Sequence, residues 1–386
     1  MKKIAFVQKK IVFMLLLVIS TAATAQKFNP IYTGVPSLTI TPDARAGGMG
    51  DAGVATSADV NSQYWNPSKY VFMDSPGGAS FSYTPWMKKI VNDINLFYLS
   101  GFYKFDDLQA VSASLRYFSL GSVDLTDDLN TNLGSVNPNE FAVDVAYSRL
   151  LSEKFSAGIA LRYISSNLTG GMVEGYYTGR SIAADISATY KTPIRASNSD
   201  DGSLSFGLNI SNIGSKISYD KGNNSIFIPT NMRLGTSFTY PLDEYNTITA
   251  NLDLNKLLVP AKPYFENYDG GATDAQYMAD LDEYNNKSPI TGIFDSFSDS
   301  EELEEIACAF GLEYCYDKQF FVRGGYFYEN EMKGNRKFFT AGVGFKLNMI
   351  QLDASYVIAT AQTNPLDQTL RFSLSFDMNG LKDLAQ

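Results

Sequence analysis

The chain has 386 residues, 45% of them hydrophobic and 13% aromatic, with a formal net charge of −10 at pH 7. It contains no histidine, which removes the commonest general base and metal ligand and excludes any Ser-His-Asp or Cys-His arrangement. The acidic excess disfavours nucleic acid, whose phosphates are held by clustered Lys and Arg.

Lys2, Lys3, Lys9 and Lys10 precede the apolar run Ile11 to Val18, and "TAATAQ" follows it. A charged region, a short apolar run and the small residues Ala23, Thr24 and Ala25 predict a signal peptide over 1–25, cleaved between Ala25 and Gln26. The run is shorter than the roughly 18 residues a spanning helix needs. Loss of the four lysines leaves 27 basic against 41 acidic side chains. The mature chain is expected in the cell envelope, with no transmembrane helix.

Residues 26–75 contain "ARAGGMGDAGVATSADVNSQYWNPSKY", Ala44 to Tyr70. The stretch is too rich in Gly and Ala for a good strand. Gly47, Gly48, Gly50 and Gly53 permit tight backbone packing, and Tyr64, Trp65 and Tyr70 supply anchors. It lacks the high charge and low aromatic content of disordered chain.

From Ala79 onward, fourteen segments alternate with period 2. In the last, Leu370, Phe372, Leu374 and Phe376 share one face, and Arg371, Ser373 and Ser375 the other. Several segments run about 10 residues, which suits a tilted membrane crossing. The connections alternate in length. Asp106–Asp107, Ser152–Glu153, Asp243–Glu244, Asp317–Lys318 and Leu347 to Met349 are short. The junctions between them are long, and Lys191 to Ser203 is a long connection on the short side. One short-turned and one long-looped rim predict an all-β fold: an outer-membrane β-barrel of about fourteen antiparallel strands over 76–378, with a periplasmic tail at 379–386.

The second face of the strands then lines a lumen, carrying Arg116, Arg162, Arg233, Arg323 and Arg371 with Asp144, Asp185, Asp253, Asp353 and Glu313. Mixed charge predicts a packed polar interior or a plug contact. A fourteen-stranded bore is too wide for side chains alone to fill, so residues 26–75 are expected to fold into it as a hatch. Cys308 and Cys315 lie seven residues apart on one predicted strand, about 23 Å and on opposite faces, so they cannot pair.

The longest junction, Val259 to Ile306 within the 258–306 loop, holds twelve acidic residues against Lys262 and Lys287. Tyr264, Phe265, Tyr268, Tyr277, Tyr284, Phe294 and Phe297 are spaced through it. Rigid rings in a solvated acidic loop suit a protein-binding surface or a self-packed lid. "FSDSEELEEI" is expected to start a short helix capped by Ser298 or Ser300. "DSFSDSEELEE" lacks the spacing of a calcium loop. Asp280, Asp282 and Glu283 lack the cleft that glycoside hydrolysis needs.

The G/A-rich run with Arg45, Gly47, Gly48 and Gly50, followed by Trp65, Asn66 and Pro67, resembles the N-terminal hatch of the FadL family of outer-membrane proteins. Within that family it is most similar to the type IX secretion branch of Bacteroidetes. The family's usual Asn-Pro-Ala reads Asn-Pro-Ser here, at Ser68, and no residues match a fatty-acid pocket. The resemblance implies an outer-membrane protein that is no enzyme and has no cofactor or metal. Its implied partners are secreted cargo proteins with type IX C-terminal domains, a large translocon barrel, a sortase-like attachment complex and outer-membrane lipids. The alternative is a FadL-like channel for hydrophobic small molecules, for which Gly207, Gly214, Gly324 and Gly325 are candidate kinks.

Overall fold

The computed structural model describes residues 30–126, 132–195, 202–222, 224–268, 270–298, 302–360 and 366–378. The expected signal peptide (1–25) and tail (379–386) lie outside them. Fourteen antiparallel strands close into a barrel: β1 (Gly77–Pro85), β2 (Asn95–Lys104), β3 (Gln109–Ser119), β4 (Asn139–Ser152), β5 (Phe155–Asn167), β6 (Gly179–Ile194) and β7 (Gly202–Gly214). They continue as β8 (Asn231–Pro241), β9 (Asn246–Leu257), β10 (Ala307–Tyr316), β11 (Phe320–Tyr328), β12 (Lys337–Leu347), β13 (Ile350–Ala359) and β14 (Leu370–Asp377). Each pairs with its sequence neighbour, and β14 returns to β1 with Phe372 opposite Tyr83 and Asp377 opposite Gly78. Closure leaves no barrel strand with an unpaired edge. Two small hairpins in the long loops, Val123–Thr126 with Asn132–Val136 and Ile217–Ser218 with Ser225–Ile226, were not legible as strands.

Alternation sets the two faces. Leu99, Leu115, Val145, Leu161, Ile182, Phe206, Leu252, Leu352 and Phe372 point outward and are exposed, while all ten charged residues expected on the inner face are buried. A belt of apolar side chains of this extent has lipid, not water, as its solvent. The barrel starts and ends on the short-turned rim, which is the periplasmic one. Cys308 and Cys315, both on β10, are free thiols.

Chain that precedes β1 fills the bore. It contains two one-turn helices, α1 (Ala44–Gly47) and α2 (Ser62–Trp65), and 3-10 turns at Pro36–Thr39 and Pro67–Phe72. At the outer end Val35 and Leu38 pack with Ile164, Ile217 and Ile228. At the inner end Val60, Tyr70 and Val71 pack with Phe102 and Ala110, Tyr70 stacking on Phe102 at 4.8 Å.

Of the four strand glycines named as candidate kinks, two are explained by the plug. A Cβ on Gly207 would lie 2.3 Å from Val54 O, and one on Gly325 2.1 Å from Gly50 N, so these are sites of close approach by the plug. Gly324 faces outward, and Gly214 abuts Ile182 O. In the described wall, register shifts lie between Leu150 and Ser152 of the β4–β5 pair and between Ala184 and Ile186 of the β6–β7 pair, the latter beside Gly214. There Asn212 has φ +60° and donates its N–H to Asp185 at 2.8 Å.

Candidate functional site: lumen plug and outer-rim surface

Arg45 organises the plug. Its guanidinium donates to Glu313 of β10 at 3.1 and 3.0 Å, to Asp59 at 2.8 Å and to Ser57 O and Oγ. Glu313 also accepts from Arg323, which reaches Asp353 on β13, both at 2.6 Å. The result is a chain of alternating charge, Asp59–Arg45–Glu313–Arg323–Asp353, across plug and wall, buried except at its half-buried end, Asp59. The planar fork of arginine allows one side chain to meet several acceptors at once.

Backbone contacts complete the seating. Asp253 Oδ2 accepts from the N–H groups of Gly53 and Val54 at 2.7 and 2.9 Å, and Gly50 donates to Thr340 Oγ1 at 2.8 Å. Gly50 is in the left-handed region, φ +67°, and a Cβ there would strike Tyr326 N and Phe310 O at 2.6 and 2.7 Å. Gly48 Cα lies against Gly342, and Gly47 against the guanidinium of Arg371, which also meets Asp51 at 3.3 Å.

The Trp65-Asn66-Pro67 motif is a joint. Trp65 Nε1 donates to Asp43 Oδ2 at 2.6 Å, tying α2 to the cap of α1. Arg233 lies over the Tyr64 and Trp65 rings at 4.7 and 5.2 Å, a buried cation–π clamp. Asn66 donates to Val54 O, Ala188 O and Thr189 Oγ1 within 3.1 Å, and its Oδ1 caps the Pro67 turn through Ser68 N. Pro67 fits the first turn position, where no N–H is needed. Ser68 adds contacts alanine would lack, to Thr189 Oγ1 at 2.7 Å. Lys69, buried, donates to Gly53 O and Thr56 Oγ1.

Sequence reading placed Asp43, Ser57, Asp59, Gln63 and Lys69 within the expected hatch but gave them no role, because the partners of these side chains are not set by local pattern. Burial first, and then Asp59, pushes the Asp43 carboxyl up to about 6 from 3.8. A folded value above the unfolded one means that protonation favours the seated plug. That contribution is full below pH 3.8 and is lost as the pH rises through 6. Trp65 reports it directly. With Trp86 replaced by Phe, Trp65 emission is expected to titrate with a midpoint near 6 and to lose that transition in Asp43→Asn; an unchanged titration in Asp43→Asn would disprove the assignment.

At the outer rim the acidic loop carries two helices, α3 (Ala275–Asn286) and α4 (Pro289–Asp295). Asp274 caps the first by accepting from Gln276 and Tyr277, and Ser288 caps the second through Thr291 N. Among the described residues of "FSDSEELEEI" the expected helix does not appear: 302–305 form a turn, and both helices lie upstream. Ser300 lies outside the described residues. Glu305, buried, takes Lys256 at 2.5 Å and Lys333 at 3.2 Å, pinning the loop's return to the barrel.

The loop aromatics divide into two groups. Tyr264, Phe265, Tyr268 and Tyr277 meet in tilted and edge-to-face pairs with centroids 5.1 to 6.5 Å apart, and Tyr284 is buried on Phe227 and Val259. Phe294 is 70% exposed and stands with Ile290 on one face of α4, with Phe297 exposed beyond them. On the periplasmic side, by contrast, an open vestibule of about 1080 Å³ ends on Arg45, Asp59 and Glu313.

A fourteen-stranded barrel with long outer loops and an N-terminal lumen plug defines the class of FadL-like outer-membrane proteins. The model of the family "Type IX secretion system protein PorV" matches residues 22–264, and the chain belongs to that family. A role in type IX secretion at the outer membrane follows from it. Among solved structures the chain is similar to the Pseudomonas putida toluene transporter TodX, at 11% identity and TM-score 0.50, covering 87% of this chain and 98% of that one. It is also similar to the Ralstonia pickettii toluene transporter TbuX, at 12% identity and TM-score 0.47, covering 87% and 98%. A Pseudomonas aeruginosa FadL homologue matches at 11% identity and TM-score 0.44, covering 91% and 100%. At such identities the likeness concerns the fold. No curated protein matches the chain.

Proposed function

We propose that this chain is a non-catalytic cargo-binding component of type IX secretion. It takes secreted proteins by their C-terminal domains at its outer rim as they leave the translocon barrel, and delivers them to the sortase-like attachment complex. The observation that carries this reading is the outer loop itself: a folded, acidic platform whose base is buried while Ile290, Phe294 and Phe297 stay exposed. Exposed rings held on a pinned scaffold supply contact area at low entropic cost.

The channel reading requires a lateral opening, a kinked strand and an apolar pocket near the hatch. The bore is instead crossed by the Arg45 ion chain and by backbone-to-backbone contact, and the vestibule below it is lined by charged groups. The test is a pull-down from detergent-solubilised outer membrane, comparing the native chain with one whose Val259–Ile306 loop is replaced by a Gly-Ser linker. Secreted proteins with the shared C-terminal domain are expected with the native chain and at least tenfold less with the linker, the loss of one strong contact residue being about 2 kcal/mol. Bound acyl chains with no such proteins would replace this reading with the channel.

A further inference from the structure

The first described residues occupy a place that barrel topology does not require. Both ends of the strand circuit lie at the periplasmic rim, so a plug preceding β1 need only enter from that side. Here the described chain instead begins at the opposite end. Gly34 donates its N–H to Phe227 O at 2.8 Å, in the loop between β7 and β8. Ile31 packs against Phe227, Val259 and Tyr284, the last of these in α3. Tyr32 is 61% exposed and lies near Tyr264. Lys216 ties the group together, its Nζ 4.0 Å from the Phe227 ring and bonded to Tyr284 O and Asn285 O. From this point the chain descends the whole bore to Phe72.

We propose that Pro30–Gly34 is displayed on the outer face of the membrane and forms one recognition surface with the acidic loop. Tyr32 extends that surface from the Tyr264–Phe265 pair. The surface is apolar and aromatic at its contacts and anionic around them, with Glu266, Asp282 and Glu283 exposed and Asp274, Asp280 and Asp295 half-buried. It therefore fits a secreted polypeptide domain that presents an apolar patch edged by Lys and Arg. The proposal rests on the outer-rim reading above and adds a second piece of chain to it.

The experiment uses full-length protein in intact cells, with Cys308 and Cys315 replaced by Ala. Single cysteines are placed at Tyr32→Cys, at Phe294→Cys on the outer loop and at Glu244→Cys on a periplasmic turn, and treated with a membrane-impermeant PEG-maleimide. Tyr32→Cys is expected to label like Phe294→Cys, while Glu244→Cys labels only after permeabilisation. Protection of position 32 until permeabilisation would overturn the proposal. Should Tyr32→Cys fail to assemble, Pro36→Cys, exposed at the same end, carries the labelling test. In the second arm a fluorescent fusion of one secreted C-terminal domain is titrated onto the purified chain. PEG at position 32 is expected to weaken binding at least tenfold relative to the unlabelled cysteine variant. Unchanged affinity would remove the segment from the surface. A native chain that does not bind the domain would instead sink the cargo reading, whatever the labelling result.

Discussion

Gly325→Val is expected to unseat the plug while leaving the barrel closed. The new Cβ would lie 2.1 Å from Gly50 N and 2.2 Å from Met49 C, both backbone atoms that no rotamer change can move aside. The turn at Gly50 would have to lift off β11, losing its hydrogen bond to Thr340 Oγ1. Overpacking of this kind costs about 1–3 kcal/mol before any hydrogen bond is counted. Gly324→Val, one residue away, is the internal control: its Cβ would point outward and meet only Thr340 O at 3.9 Å. In Gly325→Val the barrel should keep its heat-modifiable migration in gels, residues 30–75 should become protease-sensitive from the periplasmic side, and single-channel conductance should rise. Gly324→Val should match the native chain in all three. Equal behaviour of the two variants would mean that the plug does not depend on this contact. Gly50→Ala approaches the same contact from the plug side, with a penalty of about 1–2 kcal/mol for a non-glycine residue in left-handed backbone added to the clash.

The pair Gly324–Gly325 also marks where sequence reading stops. Period 2 is a local property, so Leu370 to Phe376 announced which residues of β14 face lipid and which face the bore. The alternation of short and long junctions then separated the two rims. Which residue meets which across the lumen is not local. Arg45 finds Glu313 at a separation of 268 positions, and Asp253 finds the N–H groups of Gly53 and Val54 at about 200. Alternation from Arg323 sets Gly324 outward and Gly325 inward, but a glycine facing inward reads the same whether it bends a strand or admits another backbone; only the seated plug shows that Gly207 and Gly325 admit one. The loop failed for a different reason. Helix α3 buries little beyond Tyr284, so it has no apolar stripe to reveal it, and the dense acids farther along drew the helix assignment downstream. Its caps, Asp274 and the Ser288-Pro289 pair, were the legible signal.

Arg45→Ala is the second variant with a large expected effect, because it changes the charge of a buried set and not merely its packing. Asp59, Glu313 and Asp353 are balanced by Arg45 and Arg323 to a net −1; without Arg45 the same site holds −2. Breaking a buried pair by removing one partner costs about 3–5 kcal/mol. The lower end applies here, since the periplasmic vestibule brings water to Arg45, Asp59 and Glu313. About 3 kcal/mol corresponds to roughly a hundredfold loss in amide-exchange protection across residues 43–60. Arg45→Lys is expected to recover only part of it, since a single ammonium cannot reach Glu313, Asp59 and both Ser57 oxygens as the guanidinium does. The double variant Arg45→Met with Glu313→Gln separates the charge effect from lost contacts. It removes the unbalanced carboxylate along with its partner, so protection should exceed that of Arg45→Met alone by about tenfold. If the two were equally unprotected, Arg45 would be holding the plug through Ser57 and Asp59 within the plug itself. The wall carboxylate would then be a bystander. If the double variant is the better protected, the charge chain from Asp59 to Asp353 is what joins the plug to the barrel, and residues 30–76 are held as a fixed stopper beneath the outer loop.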